Sequence, residues 1–310
     1  MGRISLTGAT GFIGWNLLNA LVEKGYTVKA LYRPGSCPRP PELPGVEWIA
    51  GSLDDAGSLR GLVKGARAVV HCAGSVRGNS PEHFFKTNAI GTRLLAESAV
   101  EAGVSRFILI SSLAARHPRL SPYAASKKEA ERMISDSALG LEWTILRPPA
   151  VYGPGDREIA PLFAAMEKGV LPVPAQRGNR FSLIHVHDLS EAVSELCSEG
   201  VPGDAIGAVF ELHDGRNGGY SWETVAETFR RVRGRRVVLL PVPKALVWMI
   251  GHVNLVASRM LSRHPMLSPW KVREIFHPDW TCDNRAICRA LGWRPSISLK
   301  IALENGLIGK

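Results

Sequence analysis

A glycine-spaced turn close to the start of the chain constrains its fold more than any other feature. Residues 7–14 read Thr-Gly-Ala-Thr-Gly-Phe-Ile-Gly, between an apolar run at Ile4, Ser5 and Leu6 and a helical pattern over 15–24. Glycines at this spacing mean little alone, and much more when they close a strand and open a helix. Gly8 permits the tight turn, Gly11 lets backbone approach a pyrophosphate, and Gly14 lets helix and strand pack closely. The helix start then offers unpaired N–H groups and the positive end of its dipole to phosphates.

The rest of the first half fits that start. Apolar and β-branched runs recur at 4–7, 27–32, 46–50, 68–72, 106–111 and 142–146. Helical patterns fall at 15–24, 55–64, 84–102 and 123–138. This alternation predicts a Rossmann-type α/β fold, a doubly wound parallel sheet covered on both faces, with right-handed crossovers. The Pro-rich stretch 34–44 reads as a loop.

After about Tyr152 the pattern loosens. Helices are predicted at 159–168, 188–198 and 221–232, strands at 181–186 and 208–212, and a Pro-rich break at 171–174. The expected organisation is a dinucleotide-binding domain over 1–155 and a smaller substrate-binding region over 156–310, interleaved with it.

The chain has 310 residues, 45% hydrophobic and 21% charged, which excludes wholesale disorder. Its five cysteines are odd in number and include no C-x-x-C pair, so a zinc ribbon or disulfide scaffold is not expected and a reducing, cytoplasmic setting is. The sequence enters a strand pattern at once, and no secretory segment is expected ahead of it.

The net charge of +10 is concentrated. Between Arg230 and Lys300 stand 14 Lys and Arg against 3 Asp and Glu. The cluster Arg230, Arg231, Arg233, Arg235 and Arg236 carries no aromatic interleaving, so nucleic acid is not an expected partner. Residues 244–261 read as an amphipathic helix, preferred here as cover for a core. The other reading, with the basic residues over 230–263, is peripheral contact with an anionic membrane.

The end of the second strand selects among dinucleotides, because an acid there accepts hydrogen bonds from the ribose hydroxyls of NAD. Here the strand ends in Tyr32-Arg33 with no acid nearby. Arg33 can pair with a 2′-phosphate, assisted by Arg39, so NADP(H) is preferred over NAD.

Tyr123-Ala124-Ala125-Ser126-Lys127 puts a phenol and an ammonium four residues apart on a helix, on one face. A nearby ammonium stabilises phenolate and brings its pKa toward working range. Ser112 falls at the carboxyl edge of the fifth strand, where α/β sheets bind ligands. His185 and His187 would share a strand face as a metal pair, but a third ligand is lacking, so no metal is expected. Asp188 reads as a helix N-cap.

These pieces together resemble the short-chain dehydrogenase/reductase superfamily, in its extended NAD-dependent epimerase/dehydratase branch. The match is carried by residues 7–14, His71-Cys72-Ala73-Gly74, Lys86-Thr87-Asn88, Ile110-Ser111-Ser112, Tyr123 to Lys127, Leu146 to Pro154, Arg180 to Leu189 and Gly292-Trp293-Arg294-Pro295. The resemblance implies that Tyr123 is the general acid/base, Lys127 its partner, Ser112 the polarising hydroxyl and Asn88 a support for the relay. It implies cofactor contacts from Gly8, Thr10, Gly11, Phe12, Ile13, Ser52, Leu53, Cys72, Ala73, Gly74, Tyr123, Lys127, Pro148, Pro149 and Val151. It also implies a homodimer through the helices at 84–102 and 123–138.

Three departures shape the functional expectation. Gly51 is followed by Ser52 rather than Asp, Phe181-Ser182-Leu183 replaces an epimerase-type segment, and only ten residues separate Ser112 from Tyr123. The first leaves the adenine contacts open, the second resembles 3β-hydroxysteroid and sterol dehydrogenase-like members and other ketone reductases, and the third suggests an open site or a large apolar substrate. The expectation is an oxidoreductase passing hydride between nicotinamide and a secondary alcohol or ketone. The alternatives are a nucleotide-sugar epimerase or dehydratase with retained NAD, and a non-catalytic NADPH-holding assembly subunit.

Overall fold

The computed structural model describes residues 2–35, 40–136, 140–176, 178–261, 265 and 267–308. Arg39 and Cys37, the end of the helix predicted over 123–138, and positions 262 and 263 of the basic segment lie outside the described residues.

The first half lays down β1 (Arg3–Thr7), α1 (Phe12–Glu23), β2 (Thr27–Tyr32), β3 (Val46–Ala50), α2 (Ala56–Val63) and β4 (Ala68–His71). There follow α3 (Pro81–Phe84), a π-helical turn (Phe85–Ile90), α4 (Gly91–Glu101), β5 (Arg106–Ile110), a 3-10 turn (Leu113–Arg116), α5 (Pro122–Ile134) and β6 (Glu142–Arg147). The six predicted strands stand within a residue of their expected bounds. The helix predicted over 84–102 starts earlier, at Pro81 under the Ser80 cap, and widens into the π turn around Asn88.

The second half comprises β7 (Ala150–Tyr152), α6 (Ala160–Glu167), β8 (Val170–Pro174), β9 (Arg180–Phe181), β10 (Leu183–His185), α7 (Val186–Leu196) and β11 (Ala208–Glu211). It continues with α8 (Trp222–Arg233), β12 (Val238–Val242), α9 (Lys244–Met260), α10 (Pro269–Ile275), β13 (Asp279–Trp280), α11 (Arg285–Leu291) and α12 (Leu299–Glu304).

Seven parallel strands form the central sheet in the order β11-β6-β5-β4-β1-β2-β3. The order reverses between β1 and β4, which opens the ligand crevice of this fold at the strand carboxyl ends. Both faces of the sheet are buried, so its strands need near-continuous apolar runs. On one face Leu17, Leu18 and Leu21 of α1 pack with Leu189, Val193 and Leu196 of α7. On the other, Leu59 and Leu62 of α2 pack with Leu95 and Ala99 of α4 and Ile134 of α5. A third apolar cluster, including Phe163, Leu171, Phe229 and Leu303, lies in the second half.

Several local expectations are corrected. The Pro-rich stretch 171–174 is a strand, β8, paired only with β12. With one neighbour, an edge strand tolerates prolines that would break a central ladder. The single strand predicted over 181–186 is two short ones, β9 and β10. His185, not Asp188, caps α7, its ring accepting from the His187 N–H at 3.2 Å. His187 therefore lies on a helix, and the strand geometry that would pair it with His185 does not exist. Buried Asp188 instead accepts from Ser296 N, Ser296 Oγ and Ile297 N at 3.0, 2.7 and 2.9 Å, pinning the segment after Trp293.

Candidate active site

The glycine turn is built as its spacing demands. Gly8 sits at φ +75°, and a Cβ there would stand 2.7 Å from the Ala73 backbone nitrogen. At Gly14 a Cβ would overlap the Gly8 carbonyl, so only glycine lets α1 approach β1 this closely. Gly11 is exposed, caps α1 with no side-chain hydrogen bond, and leaves the first N–H groups of the helix open. Thr10 is exposed beside it, with Phe12 and Ile13 half-buried. This cradle fits a dinucleotide pyrophosphate.

Around it, the carboxyl ends of β2, β3 and β4 supply the other expected contacts. Arg33 is exposed just beyond β2, where Tyr32 packs edge-on against Trp48. Ser52 donates to Asp54 at 2.5 Å, and Lys86 pairs with the same carboxylate at 3.2 Å. Both interactions hold the Asp54 carboxyl below the usual carboxylate range. Leu53 packs against Gly91 at the start of α4. Cys72 receives a charge effect from Lys127, but burial dominates and pushes its thiol up to about 12. Pro148 accepts from the Leu113 N–H at 2.9 Å, tying the segment that carries Pro149 and Val151 to the turn after Ser112.

The residues expected to form the acid–base group make two separate sets of contacts. Ser112 caps the 3-10 turn after β5 and hydrogen-bonds the Tyr123 phenol. Burial raises the Tyr123 pKa, while the Ser112 bond and the Lys271 charge pull it down. Lys127 points elsewhere: its Nζ donates to the Ile110 carbonyl at 2.8 Å, beside Gly74 and Asn88. Burial brings the Lys127 ammonium down to about 8. Asn88, held in the π turn, accepts from the Ser75 N–H at 2.6 Å and donates to Ser126 at 2.9 Å. Such turns recur at functional sites because they redirect a side chain within a helix.

Two supports were not visible in the sequence. His71 is fully buried between the Thr7 and Thr92 hydroxyls, at 2.6 and 2.9 Å, and Thr92 in turn donates to the Asn88 carbonyl at 2.5 Å. Burial takes His71 down to about 3, so it stays neutral while bridging the glycine strand to the π turn. Glu131 on α5 accepts from Ser111 at 2.7 Å and from Arg147 at 2.7 and 2.6 Å, clamping α5 to β5 and β6.

The third missed group comes from α10. Ser121, the N-cap of α5, donates to Glu274, and Lys271 donates to the same carboxylate at 2.9 Å. With Phe84, Trp270 and Ser268, these residues line a pocket over Tyr123. In the sequence, Ser268-Pro269 followed by Lys271 and Glu274 reads as an ordinary capped helix start. No motif marks it.

A phosphate cradle at a sheet switch point, opening beside a Ser–Tyr–Lys group, defines a nicotinamide-dependent dehydrogenase or reductase. The sequence profile of the NAD dependent epimerase/dehydratase family matches residues 4–207, and the chain belongs to that family. It is an NAD(P)-dependent oxidoreductase of the extended short-chain dehydrogenase/reductase type. It is 38% identical over 289 residues to a ceramide reductase of Caulobacter vibrioides, covering 90% of this chain and 86% of that protein. It is 27% identical to a mouse sterol-4-alpha-carboxylate 3-dehydrogenase, decarboxylating, over 98% of this chain and 89% of that protein. The solved structure of MoeE5 in complex with UDP-glucuronic acid and NAD superposes with a TM-score of 0.74 at 24% identity, covering 97% of this chain and 96% of that one, and shows the common fold.

Proposed function

We propose that this chain is an NADP(H)-dependent reductase of a ketone carried on a large apolar molecule, of the ceramide or sterol kind. The observation that carries the reading is Tyr123, in contact with Ser112 and lining a pocket together with Phe84 and Trp270. The likeness to a ceramide reductase along most of both chains supports the substrate class.

When bound, reduced nicotinamide supplies the hydride that adds to the carbonyl carbon. Ser112 and Tyr123 would hold the carbonyl oxygen between their hydroxyls, and the phenol proton would pass to that oxygen to give the alcohol. Burial raises the Tyr123 pKa above that of an ordinary phenol, so the group stands protonated at neutral pH, as a proton donor requires. The π turn and Glu131 hold the helices that carry the group. Arg33, exposed beyond β2 with no acid at that position, supports 2′-phosphate recognition.

The test is NADPH consumption with long-chain amide ketones, sterol ketones and a UDP-sugar, after checking the purified protein for retained dinucleotide. Tyr123→Phe is expected to slow turnover by about 10²- to 10⁴-fold with NADPH affinity unchanged by calorimetry. Arg33→Ala should weaken NADPH binding about tenfold and leave NADH binding alone. Equal wild-type affinity for both dinucleotides overturns the NADP preference. Tightly retained NAD with turnover of the sugar overturns the reductase reading.

A further inference from the structure

Helix α9 faces the wrong way for a helix that covers a core. The residues it turns inward, toward α10, are small or few: Gly251, whose Cβ would stand 3.1 Å from the Ser268 backbone, together with Leu255 and Ser258. Its outward face carries Leu246, Met249, Ile250, Val253 and Val256, spaced as one continuous helical stripe. Met249 is 55% exposed, Val256 58% and Val253 63%. Trp248 is exposed at the stripe's edge, its ring tilted against that of His252 with centroids 3.7 Å apart. The preference for core cover is thereby corrected.

The sequence through this helix carries charge of one sign as far as Glu274, which pairs with Lys271. No Asp or Glu occurs from residue 234 to residue 273, while Arg235, Arg236, Lys244, Arg259, Arg263, Lys271 and Arg273 do. At 17 residues α9 is about 25 Å long. Among the described residues no helix is long and apolar enough to cross a membrane. An apolar stripe with an aromatic at its edge, in a stretch of chain rich in basic residues, is the pattern of a helix lying in a bilayer interface.

We infer that α9 docks this protein on an anionic lipid surface, its outward stripe sunk among the acyl chains and its basic flanks on the headgroups. Its partner on the inner side, α10, carries Trp270 and Lys271 over Tyr123. Docking therefore leaves α10, which lines the pocket, packed directly behind the docked helix. Delivery of an apolar ketone from the membrane rests on the function proposed above; docking itself does not.

The test uses the full chain and no substrate. Flotation with vesicles of equal phosphatidylglycerol and phosphatidylcholine at low salt should carry the protein up, and pure phosphatidylcholine vesicles should carry at least tenfold less. Val253→Glu and Met249→Glu should each cut binding at least tenfold, with an unchanged melting temperature and NADPH affinity as evidence of intact folding. Lys244→Ser, which leaves the stripe whole, should weaken binding and flatten its salt dependence. Absence of wild-type binding overturns the inference, as does binding that both stripe variants retain. A sedimenting dimer that Val253→Glu dissolves, without vesicle binding, assigns the face to a second copy and also overturns it. Turnover is absent from this readout, so failure of the proposed reaction and failure of docking are separate results.

Discussion

Helix α5 carries Tyr123 into the pocket, helix α9 packs behind the α10 that lines it, and the two use their faces in opposite ways. Helix α5 buries polar groups: Lys127 and Glu131 point inward among Ala124, Ala130 and Ile134 and are satisfied there. Helix α9 exposes apolar ones and turns small residues inward. Buried charge is tolerated where every partner is supplied, and it then fixes geometry to a fraction of an ångström. Exposed apolar surface fixes nothing within the protein, so its use must lie outside. One helix positions chemistry, and the other presents a surface.

The sharpest way to break this contrast is Glu131→Ala. It leaves the Arg147 guanidinium and the Ser111 hydroxyl buried without their acceptor. The expected loss is about 3–5 kcal/mol of unfolding free energy by denaturant titration. Val256→Ala on the outer face of α9 should stay within about 0.5 kcal/mol of wild type. Equal losses would erase the distinction.

A second effect separates the two sides by pH. Lys127 titrates at about 8 in the folded chain, below its ordinary 10.5, because burial disfavours the ammonium. Between those values the unfolded chain binds more protons, so this group adds stability as pH rises through the window. Its charge, however, leaves the site over the same range. We expect kcat/KM for ketone reduction to fall above pH about 8 while stability rises. Lys127→Met should flatten both profiles, whereas Lys244→Ser should move neither.

The smallest effect concerns Lys271, whose side chain is 42% exposed. Its charge lowers the Tyr123 pKa, so Lys271→Ala makes the phenol a weaker acid. Solvent screening limits the change to about two- to fivefold in kcat, with NADPH affinity unchanged. A loss as large as that of Tyr123→Phe would place Lys271 in the proton transfer itself.

How much of this was readable in advance follows from the range of the interactions. Gly8 and Gly14 were legible because a positive φ and a helix–strand contact a few residues apart leave only one residue type. The first six strands were legible because burial on both faces demands uninterrupted apolar runs. Strand β8 was not, since Pro172 and Pro174 signal a break unless one knows that the strand lies at an edge. Asp188 carries the local signature of a cap, and its true partners, Ser296 and Ile297, arrive from the far end of the chain.

The sequence by itself determined the nucleotide-binding frame and the family to which the chain belongs, and it named Ser112, Tyr123 and Lys127 as candidates. The frame rests on short-range geometry and continuous hydrophobic patterning, and the family and candidates on the motifs that the chain shares with it. Only the tertiary structure decided that Lys271 and Glu274 come over Tyr123, that Lys127 turns to the Ile110 carbonyl, and that the apolar stripe of α9 looks outward. Periodicity reveals that a helix has an apolar face. Whether that face meets protein or solvent depends on what packs behind it, and that is settled by residues distant in the chain.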